Sequence, residues 1–258
     1  MPEFTEYAPG TPCWVDVTSP ELDRTISFYS DLFGWKADQD PRPEAGGYTM
    51  FTKEGKQVAA GSPPQQEGMP SHWTTYLASD DVDATAGKIR DAGGTVLMDP
   101  FDVFDAGRMT VAQDPTGAVF GIWQAGEHHG AELANEPGSF TWNEVQTPDI
   151  GAAEAFYRAV FGYEINEVPM GDGMTYRVLK VDGKNVAGMY ELAGDTAGTP
   201  PNWATAFAVS DADATCKLAE GLGGKVLVQP LDIPEVGRYA MLQDPVGAVF
   251  QVLADPPS

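Results

Sequence analysis

Apolar and polar positions alternate through CWVDV, residues 13–17, the period of two that marks a half-buried strand. The period then lengthens. Leu22, Ile26, Tyr29 and Phe33 recur at intervals of three to four, which predicts a helix with one apolar face. Ser19 suits its N-cap, Pro20 its first helical position and Gly34 its end. Beyond it, GYTMFTKEG and KQVAAG read as a hairpin turning through Glu54-Gly55. After Pro70 come a strand (WTTYLAS), a helix over DDVDATAGKIRDAGG closed by Gly93-Gly94, and three strands ending in AVFGIWQ.

The same pattern then returns. Trp14 falls on Trp142, Pro20 on Pro148, Phe28-Tyr29 on Phe156-Tyr157 and Phe33-Gly34 on Phe161-Gly162, at an offset of 128 (142 − 14). Past a two-residue indel the offset is 130 (203 − 73): Trp73 falls on Trp203, Asp81 on Asp211, Gly107-Arg108 on Gly237-Arg238, and QDPTGAVF on QDPVGAVF. So many ordered matches mean a duplication. The predicted organisation is α+β, with a first domain over 9–125, a polar linker over 126–136 bounded by glycine and proline, and a second domain over 137–255. Each domain holds two βαβββ-like units.

Composition narrows the function classes. With 42% hydrophobic residues and no apolar run near the ~18 residues of a membrane span, the chain reads as globular and not membrane-bound. Its 15 Lys+Arg against 38 Asp+Glu give a net charge of −23, which argues against a nucleic-acid partner. The charge is read either as a solvated surface or as a field favouring cationic small molecules. Two cysteines, Cys13 and Cys216, do not make a disulfide framework. No signal peptide is visible, so a cytoplasmic address is expected, with non-classical secretion left open. A Gly-rich phosphate loop and a GxSxG elbow are both absent from the sequence.

The helix ending in FYSDLFGW, the helix ending in AGG and the final DPTGAVF, occurring twice in order, resemble the vicinal-oxygen-chelate (glyoxalase/bleomycin-resistance/dioxygenase) superfamily. More narrowly, WQAGEHHGAELANEPGSFTWNEV is similar to tandem-domain actinobacterial proteins labelled hydroxylase or glyoxalase-like, a group that includes a mycobacterial culture-filtrate antigen. The resemblance implies that paired βαβββ units curl their sheets into a cup around a small ligand. In metal-dependent members, it further implies His or Gln on each unit's first strand and Glu on each last strand, holding a divalent ion.

Those positions fall here on Trp14, Thr74 and Gly121 in the first copy and on Trp142, Ala204 and Gln251 in the second, with no carboxylate in 58–61 or 186–189. Indole has no lone pair for a metal, and Gln251 alone could serve. No cofactor is therefore expected, and a divalent metal at the family position is disfavoured.

Strand alternation places Asp16 beside Trp14 and Glu144 beside Trp142. Each pair is read either as an aromatic wall plus an acid (ligand anchor or general base) or as core packing plus a capping acid. His72, on the face of Thr74, is a further candidate, as are Arg108 and Arg238, each weighed against a plain surface role. Trp73 and Trp203 are expected to pack between units, and His128 and His129 to form a solvated loop pair. The favoured function is metal-free binding of an aromatic or cationic small molecule in the cup. The alternative is an enzyme, a glyoxalase-like lyase, isomerase or hydroxylase, with Asp16 or Glu144 as base. The chain is expected as a monomer or homodimer.

Overall fold

A computed structural model of the chain describes residues 4–171 and 174–256. The first half contains β1 (Pro12–Thr18), α1 (Leu22–Phe33), β2 (Lys36–Gln39), β3 (Thr49–Lys53), β4 (Lys56–Ser62), β5 (His72–Ala78), α2 (Val82–Asp91), β6 (Thr95–Val103), β7 (Gly107–Gln113) and β8 (Val119–Ala125). The second half repeats it as β9 (Phe140–Thr147), α3 (Ile150–Phe161), β10 (Glu164–Gly171), β11 (Met174–Val181), β12 (Lys184–Glu191), β13 (Asn202–Ala208), α4 (Ala212–Gly221), β14 (Lys225–Ile233), β15 (Gly237–Gln243) and β16 (Val249–Ala254). Each half forms an eight-stranded curved sheet, ordered β2-β3-β4-β1-β5-β8-β7-β6 and β10-β11-β12-β9-β13-β16-β15-β14. The two units of one half join edge to edge through antiparallel β1–β5 and β9–β13 pairs. The four units therefore pair within the chain.

Local chemistry accounts for most boundaries. Glu54 and Gly55 both have positive φ (53° and 80°), as do Asp182 and Gly183 (50° and 73°), the conformation a two-residue hairpin loop demands. Gly34 and Gly162 end α1 and α3 in the left-handed conformation. The start of α1 differs from expectation: the helix begins at Leu22, not at Pro20. The Ser19 hydroxyl accepts the Glu21 N–H (3.2 Å) and the Thr25 hydroxyl proton (2.7 Å), so it closes a turn ahead of the helix rather than capping it. In the second copy Asp149 caps α3 directly, accepting the Ala152 N–H at 3.0 Å.

The halves stack back to back, and neither core belongs to one half. One core joins Phe28, Tyr29 and Phe33 of α1 and Trp73 of β5 to Phe207 of β13 and Phe250 of β16, with Phe33 and Phe207 ring centres 5.0 Å apart. The other joins Ile89 of α2 and Phe120 and Ile122 of β8 to Phe156, Tyr157 and Val160 of α3. At the centre the Thr75 and Thr205 hydroxyls meet at 3.3 Å, and Asn143 donates to both (2.8 and 3.1 Å).

Two of the repeated motifs gain a physical meaning here. Trp73 donates to the Tyr29 hydroxyl (2.8 Å), which donates to Asp244 of the other half (3.2 Å). Trp203, Tyr157 and Asp114 repeat the chain in the opposite direction (2.8 and 3.0 Å). The second oxygen of Asp114 accepts the N–H groups of Thr116, Gly117 and Ala118 at 2.8–3.0 Å. Each DPxG aspartate thus closes its own turn and anchors the FY tyrosine of the other half. Burial pushes the Asp244 carboxyl above its ordinary range, against the N–H groups that favour its charge.

The linker is not a free tether. Ala131 donates its N–H to the Cys13 carbonyl (2.8 Å), Glu132 bonds the Gln57 backbone in both directions, and Tyr7 donates to the Ala131 carbonyl (2.7 Å). His128 consequently departs from the expected solvated loop. Its ring meets Trp14 edge-on at 4.5 Å, and its Nδ1 lies 2.8 Å from Gln57 Oε1. Burial lowers its pKa to about 4, which leaves it neutral. His129 stays exposed.

Candidate functional site: two cups that differ

The helix-covered face of each sheet is fixed by Thr75 and Thr205, whose hydroxyls touch across the two halves. Strand alternation then sends Thr74, Tyr76 and, across the β1–β5 register, Asp16 and Trp14 to the opposite, concave face. The same logic puts Trp142, Glu144, Gln146, Ala204 and Gln251 in the second cup.

The first cup is shut. Trp14, Asp16, Thr74 and Tyr76 are all less than a tenth exposed. Tyr76 donates its hydroxyl proton to Asp16 (2.9 Å), and Trp14 Nε1 donates to the Tyr48 hydroxyl (3.0 Å). Burial raises the Asp16 pKa to about 7, against the hydrogen bonds from Tyr76 and Thr74 that favour its ionised form. At the mouth, the Arg42 guanidinium lies 4.1 Å from the centre of the Phe104 ring while pairing with Asp40. That cation–π contact clasps the rim of one unit to the rim of the other.

The second cup keeps more of its surface exposed. Trp142 and Glu144 are only half-buried. Trp142 Nε1 donates to the Tyr176 hydroxyl (2.7 Å), which donates to Glu144 Oε2 (2.7 Å). Glu144 Oε1 accepts from the buried amides of Gln146 and Gln251, each at 3.0 Å. Burial raises the pKa of the neighbouring Tyr239, against the Gln251 side chain, which favours its ionised form. A Cβ at Gly188 would overlap the Tyr176 hydroxyl, so glycine there lets that tyrosine reach the acid. Where the first cup carries Arg42 and Phe104, the second carries Met170 and Pro234 (170 − 42 = 128; 234 − 104 = 130). Among the described residues that clasp has no counterpart.

One paired exchange separates the cups. Tyr76 lies beside Gly121 on the neighbouring strand, and the equivalent neighbours in the second cup are Ala206 and Gln251. A side chain at Gly121 would overlap the Tyr76 ring, whereas Ala206 leaves room for Gln251. Bulk and polarity have moved from one strand to the next. Gly121→Gln alone is expected to destabilise by about 1–3 kcal/mol through overpacking. Tyr76→Ala with Gly121→Gln should recover part of that loss, a non-additivity that urea unfolding of the two single variants and the double would read. Strict additivity would refute the exchange.

The other candidates lie elsewhere. His72 stands at the start of β5, half-buried, with Nδ1 2.9 Å from the Pro70 carbonyl. Arg108 bridges Asp83 and Asp102, and Arg238 bridges Asp213 and Asp232. Both arginines reach toward the first turns of α2 and α4, away from the acid–Trp pairs. Trp73 and Trp203 are buried between the halves. Tyr48, Tyr76, Tyr176 and Gln146 join the sites without standing out in the sequence. Only Tyr48 and Tyr176 carried a signal, the shared offset of 128 (176 − 48).

The residues present do not fit a divalent ion at the family position. The first cup offers Trp14, Thr74 and Gly121 there, and the second Trp142, Ala204 and Gln251. Among the described residues, no three His, Cys, Asp or Glu side chains gather to hold a metal. Nor is any described helix long and apolar enough to cross a membrane.

The chain is 47% identical over 261 residues to "Putative glyoxylase CFP32" of Mycobacterium tuberculosis, covering 100% of this chain and 99% of that protein. It is 44% identical over 264 residues to "Anthracycline biosynthesis protein DnrV" of Streptomyces peucetius, covering 97% and 95%. Among solved structures, the Mn(II)-bound glyoxalase from Novosphingobium aromaticivorans shares the fold with TM-score 0.68 at 16% identity, covering 96% of this chain and 83% of that one. The 2,3-dioxygenase LapB from Pseudomonas sp. KL28 does so with TM-score 0.68 at 13% identity, covering 97% and 94%. The profile of the Glyoxalase/Bleomycin resistance protein/Dioxygenase superfamily matches residues 13–122 and again 137–252. With its tandem cups, this chain belongs to that superfamily.

Proposed function

We propose that the protein binds a small aromatic molecule, without a metal, in the second cup. The observation that carries the reading is Glu144: a half-buried carboxylate fixed by Tyr176, Gln146 and Gln251 beside the indole of Trp142. A concave, aromatic wall with a few oriented polar groups is the usual make-up of a small-molecule site. The first cup has the same Trp–acid pair but fills its own space with Tyr76 and Trp14, so one ligand per chain is expected. The name of the Streptomyces relative, an anthracycline biosynthesis protein, agrees with an aromatic ligand.

Calorimetric titration with 2-naphthol tests this. One site per chain is expected. Trp142→Ala should weaken binding by about tenfold or more, the equivalent of ~1.4 kcal/mol, and Trp14→Phe should leave it unchanged. Equal sensitivity to both substitutions, or two equivalent sites, would sink the assignment to the second cup.

A second reading uses the same group as a general base on the bound ligand. Its support is the exposure Glu144 retains and the glyoxylase name of the mycobacterial relative. A turnover assay in which Glu144→Gln keeps full rate would remove the carboxylate from such a mechanism.

A further inference from the structure

A carboxylate offers about four lone-pair sites, two on each oxygen. On Glu144, Gln146 and Gln251 take both sites of Oε1, and Tyr176 takes one site of Oε2. Among the described residues no further donor reaches Oε2, so one of its acceptor sites is open to solvent or a ligand on a side chain that keeps part of its exposure. Asp16 has no comparable opening, being 6% exposed behind Tyr76.

The rim above Glu144 adds a second observation. Val168 stands opposite Tyr176 on the paired strand, and Leu231 stands opposite Tyr239. Both are unusually exposed for apolar residues, at 41% and 43%. In the first copy the place of Val168 is taken by Asp40 (168 − 40 = 128), bonded to Arg42. Among the described residues, the second cup therefore combines apolar side chains at its rim, aromatic walls and a carboxylate with an acceptor site open to a ligand.

We propose that the second cup selects planar, largely apolar ligands that carry one hydrogen-bond donor at their inner end, and that it rejects carboxylates. This rests on the reading of the second cup as the ligand site. The donor, a hydroxyl O–H or an ammonium N–H, fills the last site of Glu144 Oε2, while the ring system lies against Trp142 and the outer edge against Val168 and Leu231. A ligand that covers Glu144 without offering a donor displaces water from Oε2 and leaves the carboxylate one hydrogen bond short, which costs more than the bond itself gains. A carboxylate ligand brings like charge to Glu144 in a protein of net charge −23.

Calorimetric titration of the wild-type protein with four matched probes tests the proposal: 2-naphthol, 2-naphthylmethylammonium, 2-methoxynaphthalene and 2-naphthoate. The naphthol or the ammonium should bind about tenfold or more tightly than the methyl ether, as expected for a hydrogen bond to a charged group, and the naphthoate should bind most weakly. Whichever donor binds better identifies the group the cup takes. Glu144→Gln places an amide donor where Oε2 stood, so the preference for naphthol over its methyl ether should vanish. If the methyl ether or the naphthoate binds the wild-type protein as tightly as the naphthol, and Trp142→Ala still weakens all of them, the donor rule is overturned and the site stands. If no probe responds to Trp142→Ala, the site itself is overturned, and the donor rule falls with it. The comparison within the wild-type series needs no variant to fold.

Discussion

Residues 9–125 produced alone should show no cooperative thermal transition as a monomer, nor should residues 137–255, whereas mixing the two should restore one. The reason lies in the shared cores. Without the second half, Phe28, Tyr29 and Phe33 lose Phe207 and Phe250, and Phe120 and Ile122 lose Phe156 and Tyr157. Burying a large apolar side chain contributes roughly 1.5–3 kcal/mol. Exposing even five of them removes as much as the whole net stability of an ordinary domain, about 5–15 kcal/mol. The Tyr29–Asp244 and Tyr157–Asp114 bonds are lost as well. Self-association of one half is the other outcome the geometry allows, because the two halves are copies. Near-ultraviolet circular dichroism with sedimentation separates these cases. A folded, monomeric 9–125 fragment melting within a few degrees of the full chain would contradict the shared-core account.

The second large effect is a pH dependence hidden by cancellation. Asp16 has its pKa raised by burial from 3.8 to about 7. Between about pH 4 and 7 it is protonated when folded and ionised when unfolded, so its contribution to stability is lost as pH rises through that window. His128 has its pKa lowered by burial from 6.5 to about 4. It is neutral when folded and charged when unfolded between those values, so its contribution is lost as pH falls. At about 1.4 kcal/mol per pH unit between the folded and unfolded titrations, each could reach roughly 3–4 kcal/mol as an upper figure. The slopes are opposite and largely offset each other between pH 4 and 6.5.

Asp16→Asn should therefore gain stability relative to the wild type as pH rises from 4.5 to 7.5. His128→Gln should gain relative to the wild type as pH falls from 6.5 to 4.5. Urea unfolding at four pH values reads both differences, and taking differences removes the surface carboxylates common to all three proteins. A pH-independent difference for Asp16→Asn would mean that its carboxyl is ionised in the fold at every pH tested.

Sequence made the duplication, the strand alternation and the acid–Trp pairs legible, because these depend on periods and offsets within short stretches. The partners of those acids were not legible. Tyr76 reaches Asp16 from 60 residues away and Gln251 reaches Glu144 from 107, and nothing in local spacing encodes such pairings. The crossed cores were hidden for a related reason: an apolar helix face reads the same whether it covers its own sheet or its neighbour's. His128 departs from the sequence expectation because a polar linker flanked by glycine suggests solvent, whereas backbone bonds to Cys13 and Gln57 tie the linker down. The helix α1 starts two residues later than its sequence suggests because Ser19 has the chemistry of a cap but uses its oxygen on a turn.

The back-to-back arrangement also bears on how such a chain can change over generations. Selection for a folded molecule acts on the helix-covered faces, which both copies must keep mutually compatible. The concave faces lie on the other side of each sheet, and the hydrogen bonds described for each acid–Trp pair come from its own copy. A fused pair of this kind carries one surplus binding surface from the moment of duplication. Either surface can change without disturbing the shared cores, and the two copies do differ there: tyrosine over glycine and an arginine on a phenylalanine in one, neither in the other.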